Sequence, residues 1–152
     1  MLPKYHILLG FFFALFLFFI FPKIEVVGFL IIFLSSFLID IDHYLYYVFK
    51  KRDLSLRKAY KWHIRKREKW YKLSREQRNK TYLGFYIFHG LEISILLFLL
   101  GLFVHILFYF IFLGHFFHLF LDLVFEKKFK DRVDRISLVH DFLKFRKLRF
   151  IR

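Results

Sequence analysis

The sequence predicts an all-α integral membrane protein, a four-transmembrane-helix bundle with basic amphipathic helices on its cytoplasmic side. Three observations carry that prediction. The 152 residues are 59% hydrophobic with 26 Phe, yet the formal net charge is +14, a combination that fits lipid-embedded segments beside segments on an anionic surface. The apolar residues are gathered into three long runs, 5–21, 24–49 and 82–125. The basic residues are gathered between and after those runs. At this length the chain reads as one membrane domain, 1–152.

In order, the first run, ILLGFFFALFLFFIF, follows Lys4 as a signal peptide would, but Pro22-Lys23 stands where a small-residue cleavage site belongs and a second run follows at once. It is expected to be a retained span. The third run holds 44 residues, about twice the ~20 needed for one crossing, so it is expected to fold as a hairpin near Gly101, giving spans 82–100 and 103–125. The loop 50–81 carries fourteen Lys/Arg against three Asp/Glu, and the tail 126–152 carries ten against four. With Lys4, 25 of the 26 basic residues then lie on one side of a four-span chain. The positive-inside bias makes that side cytoplasmic, with both termini there, in a multi-pass cell-membrane protein.

Within the loop, LSLRKAYKWHIRKREKWYKL (54–73) places Leu56, Tyr60, His63/Ile64 and Trp70/Tyr71 at near-helical spacing among Lys and Arg, the pattern of a helix lying on a membrane. Arg65, Lys66 and Arg67 are its candidates for holding an anionic headgroup. Membrane lipids are the expected partners and nucleic acid is not. The tail, DRVDRISLVHDFLKFRKLRF, reads as a second amphipathic helix, with His140-Asp141 as a solvated pair or, in the alternative, as a lid pair supporting a functional site.

Ionisable groups inside lipid are costly and mark function. His6, Asp40, Asp42, His43, His89, Glu92, His115, His118 and Asp122 all fall in the cytoplasmic half of the four-span arrangement, which was assigned from Lys and Arg alone. At 1.5 Å per residue, His89 and His118 lie at matching depths, roughly 10–12 Å inside positions 82 and 126. His105, near the opposite hairpin, stands apart as an interfacial residue. Asp40/His43, His89/Glu92 and His115/His118 are i, i+3 pairs and His118/Asp122 is i, i+4, so each pair shares a helix face. Such pairs projecting into a bundle are how dimetal centres are built. Asp42 lies about 200° from Asp40 on an ideal wheel, so both face one point only if the helix frays there. With no cysteine, thiolate and iron–sulfur sites are excluded; His with carboxylates suits Zn²⁺ first, then Mn²⁺ or Fe, as one or two ions. The carboxylates argue against bis-histidine haem.

His6, the Asp-x-Asp-His of 40–43, His89 at the opening of the third span and the Gly-His-x-x-His-x-x-x-Asp of 114–122 resemble the YdjM-like family of membrane-bound metal-dependent hydrolases of bacteria and archaea, over most of residues 1–125. More distantly, the His-x-x-x-Asp element is similar to that of zinc-dependent phospholipases C and related nucleases. The resemblance implicates His6, Asp40, Asp42, His43, His89, His115, His118 and Asp122 in a metal site. Two positions depart from the family pattern: Ile39 stands where Pro is usual, and "HGLEIS" places Glu92 where a second His often falls. The expected activity is hydrolysis of a phosphoester of a lipid or lipid-linked substrate at the cytoplasmic face, with Glu92 or Asp42 taking the proton of the attacking water. The alternative is a metal-binding membrane scaffold or transporter without catalysis. A transporter needs polar groups through the full bilayer depth, and the outer half offers little beyond His105.

Overall fold

The computed structural model describes residues 3–130, 137–147 and 149–150. They are almost wholly helical, and three stretches are long and apolar enough to cross a membrane: Pro3–Ile20, Val26–Lys51 and Ile106–Lys128. The chain divides into two compact units, Met1–Asp40 with Phe88–Ser137, and Ile41–Ile87 with Leu138–Arg152.

The first unit is built from α1 (Pro3–Ile20), α2 (Val26–Leu38), α6 (Leu91–Phe103) and α7 (Ile106–Lys130). Pro3 opens α1 at the one helical position where its missing N–H costs nothing. At the other end Phe21 to Glu25 turn the chain, closed by Ile24 N–H to Phe21 O at 2.8 Å. α2 packs against both α1 and α7, and α6 packs against α7. Ala14, Leu17, Ile24 and Ile32 are buried, with Phe13, Phe18, Phe29, Phe33, Phe110 and Leu113 around them.

Small residues set how closely these helices approach. A Cβ on Gly10 would overlap the Ser36 side chain, and one on Gly114 would overlap Ser35 Oγ and the Ile32 carbonyl. Gly28 gives the same room to the Phe110 ring. The consequence is a ladder of rungs that step by four residues on every helix: Ala14, Ile32 and Phe110; then Gly10, Ser36 and Gly114; then His6, Asp40 and His118. Residues four apart share a helix face, so the two lower rungs hold the third in place.

The expected third span is corrected. Residues 82–100 are not one helix: α6 starts only at Leu91, after a short 3₁₀ turn at Ile87–His89. Its 13 residues span about 20 Å at 1.5 Å per residue, short of the ~30 Å hydrocarbon core. Leu83, Phe85, Ile87 and Phe88 keep the hydropathy of 81–88 high without making it helical. The hairpin is corrected too. Its turn is Val104–His105, not Gly101, and Leu107 N–H donates to His105 Nδ1 at 3.2 Å, capping α7. Gly101 lies within α6, where a Cβ would strike the Tyr109 backbone.

The second unit holds α3 (Ile41–Lys51), α4 (Leu56–Tyr71), α5 (Arg75–Asn79) and α8 (Leu138–Lys147), with a two-residue parallel pairing of β1 (Thr81–Tyr82) and β2 (Arg149–Phe150). α3 packs on α4. Ser55 caps α4, accepting Lys58 N–H at 3.3 Å. Just before it, Asp53 accepts Ser55 N–H at 2.9 Å and Lys58 Nζ at 3.0 Å. The Ser55 N–H, and after it the Lys58 ammonium, hold the Asp53 carboxyl below its ordinary value. Ser74 and Gln77 close α5 with reciprocal bonds of 3.2 and 3.0 Å, a capping box.

α4 matches the basic helix expected for 54–73, but its inward face is Ala59, Lys66 and Trp70. Leu56 and Tyr60, expected on an apolar face, are 69% and 55% exposed. In the tail, His140 is exposed and Asp141 buried, which corrects the solvated pair. Residues 131–136, 148 and 151–152 of that tail lie outside the described residues.

Candidate metal centre

The third rung of the ladder is where the polar groups meet. α1 supplies His6, the turn after α2 supplies Asp40, the 3₁₀ turn before α6 supplies His89, and α7 supplies His118 and Asp122. His6, His89 and His118 side chains are wholly buried, whereas Asp122 and Asp40 are 9% and 16% exposed. The imidazoles therefore form the closed wall and the carboxylates the open one.

Four atoms converge. His118 Nε2 and His89 Nε2 are 3.3 Å apart. Asp40 Oδ1 lies 3.7 Å from His89 Nε2 and 3.8 Å from His118 Nε2, and Asp122 Oδ2 lies at the same two distances. A tetrahedral zinc ion with bonds of ~2.0–2.1 Å spaces its ligand atoms about 3.3–3.4 Å apart. The nitrogen pair already stands at that edge, and the oxygens need move in by only about 0.4 Å. Two imidazoles and two carboxylates suit a borderline divalent cation, so this His/Asp group could hold a metal ion.

The tautomer of His118 is set in advance. The turn after α2 tightens to an i→i−3 bond, Asp40 N–H to Phe37 O at 3.2 Å. The Ser36 carbonyl, which a regular α-helix would pair with Asp40 N–H, instead accepts from His118 Nδ1 at 2.9 Å. A carbonyl only accepts, so Nδ1 carries the hydrogen and Nε2 presents its lone pair to the cluster. The same turn resolves the geometry of the two aspartates. Asp40 reaches the cluster; Asp42 belongs to the second unit, where its Oδ1 pairs with His43 Nδ1 at 2.8 Å.

His6 is a separate case. His6, His118 and Asp122 offer ligand atoms within 4.8 Å of one another, but the His6 and His118 rings are stacked at 3.9 Å and 16°. An imidazole lone pair lies in its ring plane, so stacked rings present theirs side by side. One ion shared by both would sit well out of the plane of at least one. His6 Nε2 instead faces Asp122 Oδ1 at 3.2 Å, the oxygen opposite the one turned to His89 and His118. His6 Nδ1 makes no hydrogen bond among the described residues, while Nε2 has the Asp122 carboxylate as its partner. A buried nitrogen left without a bond costs about 1–3 kcal/mol, an investment consistent with a site completed by a ligand.

His115 and Glu92, also expected at the site, make their hydrogen bonds to other partners. His115 Nε2 bonds the Phe88 carbonyl at 2.9 Å and Nδ1 bonds Ser94 Oγ at 2.8 Å, so both nitrogens are engaged away from the four converging atoms. Glu92, in the first turn of α6, accepts Ser137 Oγ–H at 2.6 Å. His43 stacks on Tyr86 at 3.9 Å, and its carbonyl accepts from His63 Nε2 at 2.8 Å. Of the headgroup candidates, Arg65 is exposed and Arg67 half-buried. Lys66 is buried, its ammonium 4.6 Å from the Trp62 ring and 5.2 Å from that of Tyr46, a cation–π enclosure rather than a surface charge.

Sequence reasoning missed Gly10, Gly114, Ser36 and Ser94. The signal was present: a small residue stands four positions from His6, Asp40 and His118 alike. No family model matches the chain, and neither a curated protein nor a solved structure does.

Proposed function

We propose that this protein is a membrane-bound, metal-dependent hydrolase acting on a phosphoester of a lipid or lipid-linked substrate at the cytoplasmic face. The observation that carries the reading is the convergence of His89, His118, Asp40 and Asp122 on one point, with the two carboxylates forming its only partly exposed side. Those four residues would hold the ion, zinc by donor set and spacing, with manganese or iron as substitutes. Bound there, a divalent ion supplies Lewis acidity, lowering the pKa of water from ~15.7 toward 7 and neutralising charge on phosphate oxygens.

The chain's own residues do the rest. Ser36 holds the His118 ring, and His6 turns one oxygen of Asp122 away so that the other faces inward. Asp40, the most exposed of the four, would be the ligand nearest the open side of the site. The exposed Leu56 and Tyr60 on basic α4, and the exposed Arg65 on the same helix, support an interfacial helix that attracts an anionic headgroup. In this reading the basic segments and both termini are cytoplasmic, α6 is a short fourth membrane helix, and the resemblance to YdjM-like hydrolases reflects common chemistry.

The second reading is a non-catalytic, metal-stabilised scaffold. A full set of four protein ligands favours it, because structural zinc sites fill all four positions whereas catalytic ones keep one open for water. Metal analysis of detergent-purified protein, followed by assay against phospholipids and polyprenyl phosphates, separates the two. The hydrolase reading expects stoichiometric metal and phosphate release in wild type, with both lost in Asp40→Asn, whose amide no longer supplies a ligating carboxylate. Stoichiometric metal with no turnover of any member of the panel leaves the scaffold. Sidedness is read by single cysteines at exposed loop positions, since the chain has none of its own; a cysteine at Arg65 labelled from outside intact cells overturns the orientation.

A further inference from the structure

We infer that His115 is a positioning residue and not a ligand: it clamps the turn that carries His89 onto α7, and so sets the spacing of the two ligand imidazoles. The inference rests on the metal-site reading above and assigns His115 a different task from the one its spacing suggests.

The geometry is complete at each contact. His115 is buried, and its Nε2 lies 2.9 Å from the carbonyl of Phe88, the residue immediately before His89. Since that carbonyl can only accept, Nε2 carries the hydrogen. Nδ1 is then the unprotonated nitrogen, and it accepts the hydroxyl hydrogen of Ser94 at 2.8 Å. In this neutral tautomer both nitrogens are used, and no lone pair remains for an ion. Ser94 is itself buried and is the buried residue of α6. His115 therefore ties two consecutive pieces of chain to α7, the 3₁₀ turn on one side of His89 and the first turns of α6 on the other.

The need for such a clamp follows from the local structure. His89 ends a three-residue 3₁₀ turn and is followed by Gly90, whose N-cap position makes no side-chain bond. A turn that short has poor hydrogen-bond geometry and little stiffness of its own. The other cluster residues sit in or directly beside helices braced by the Gly10, Ser36 and Gly114 rung. His89 lies on the 3₁₀ turn and not on α1, α2 or α7, so the His89–His118 spacing of 3.3 Å follows how that turn is tethered to α7. His115 and His118 are three residues apart on that helix, so the tether and its target share one rigid element.

The test uses the full-length chain in detergent, loaded with Zn²⁺ or Co²⁺. His115→Ala is expected to bind one equivalent per wild-type equivalent at saturation, with affinity lowered about 10–100-fold, the range for partners that orient a metal ligand. Its Co²⁺ visible spectrum keeps the wild-type intensity and coordination pattern. His115→Gln, whose amide can donate to Phe88 O and accept from Ser94, restores affinity to within about threefold. His118→Ala serves as the ligand-loss reference. If His115→Ala loses stoichiometric metal and the cobalt spectrum as His118→Ala does, His115 is a ligand and the inference fails. It fails also if His115→Ala binds as tightly as wild type.

Amide hydrogen exchange on the metal-free protein tests the clamp apart from the metal. Residues 88–90 are expected to exchange faster in His115→Ala and at the wild-type rate in His115→Gln. Should wild type bind no metal at all, the metal-site reading fails, while faster exchange at 88–90 still upholds the clamp. Unchanged exchange overturns it.

Discussion

The two ends of the α1–α2–α7 bundle are made of the same helices and hold together in different ways. At one end Ala14, Leu17, Ile24 and Ile32 pack among Phe rings whose contacts are many and interchangeable: Phe29 meets Phe11, Phe18 and Phe33, and Phe33 meets Phe37 as well. At the other end a few polar atoms meet at fixed distances, and the close approach that brings them together runs through Gly10, Gly114 and Ser36. Apolar packing degrades gradually when one ring is changed. A ligand cluster does not, because an ion bound by four atoms loses its affinity with any one of them. If the polar end holds an ion, stability and metal binding in this unit are expected to break separately.

The largest effect is expected from His118→Ala and Asp122→Ala, each abolishing stoichiometric metal while far-UV circular dichroism keeps its helical intensity; retained metal in either breaks the comparison. Next comes Gly114→Leu, whose side chain would overlap Ser35 and the Ile32 carbonyl. Overpacking there is expected to cost about 1–3 kcal/mol and to weaken metal binding more than tenfold. Ile24→Ala is the counterpart at the apolar end. It is expected to cost a comparable or larger 2–5 kcal/mol in denaturation experiments and to leave metal stoichiometry and affinity unchanged. If the two variants behave alike, the ends are not independent.

His6→Gln sharpens the distinction within the polar end. A residue that orients Asp122 rather than binding the same ion as His118 is expected to keep full stoichiometry with affinity down about tenfold, as titration with a chelator-buffered metal reads directly. The smallest effect lies in the other unit, at the start of α4. The Asp53 carboxyl is held below its ordinary value by Ser55 N–H and Lys58, so its contribution is fully present above that value and is lost as pH falls through the lowered one. Hydrogen exchange at 55–58 is expected to be flat from neutral pH to about 5 after correction for intrinsic rates, and to rise in acid. Asp53→Asn removes that pH step.

Hydropathy made the spans of α1, α2 and α7 legible, because a lipid-facing helix needs apolar residues on every side. It failed for 82–90, where aromatic residues mimic a span while Gly84 and Gly90 interrupt it. It also misread Gly101, since a glycine inside an apolar run marks a turn or a close helix contact with equal ease. Helical spacing placed His6, Asp40, His89, His118 and Asp122 at one level, and the structure brings them together. It could not tell His115 from His118. Three residues on a helix separate side chains by about 60°, enough for one ring to face the α6 turn and the other α2. Nor did it show that Lys66 turns inward, since nothing in a run of cations says which one an aromatic pair will enclose.

The four-residue ladder has an evolutionary corollary. Swapping one Phe for Leu at the apolar end leaves every rung at its level, but deleting a single residue between Ser36 and Asp40 would turn all that follows by about 100° and carry the aspartate out of reach. Lineages descended from this protein should accordingly tolerate wide drift in the identity of their bulky side chains and almost none in the count of residues separating each small one from its acid or imidazole.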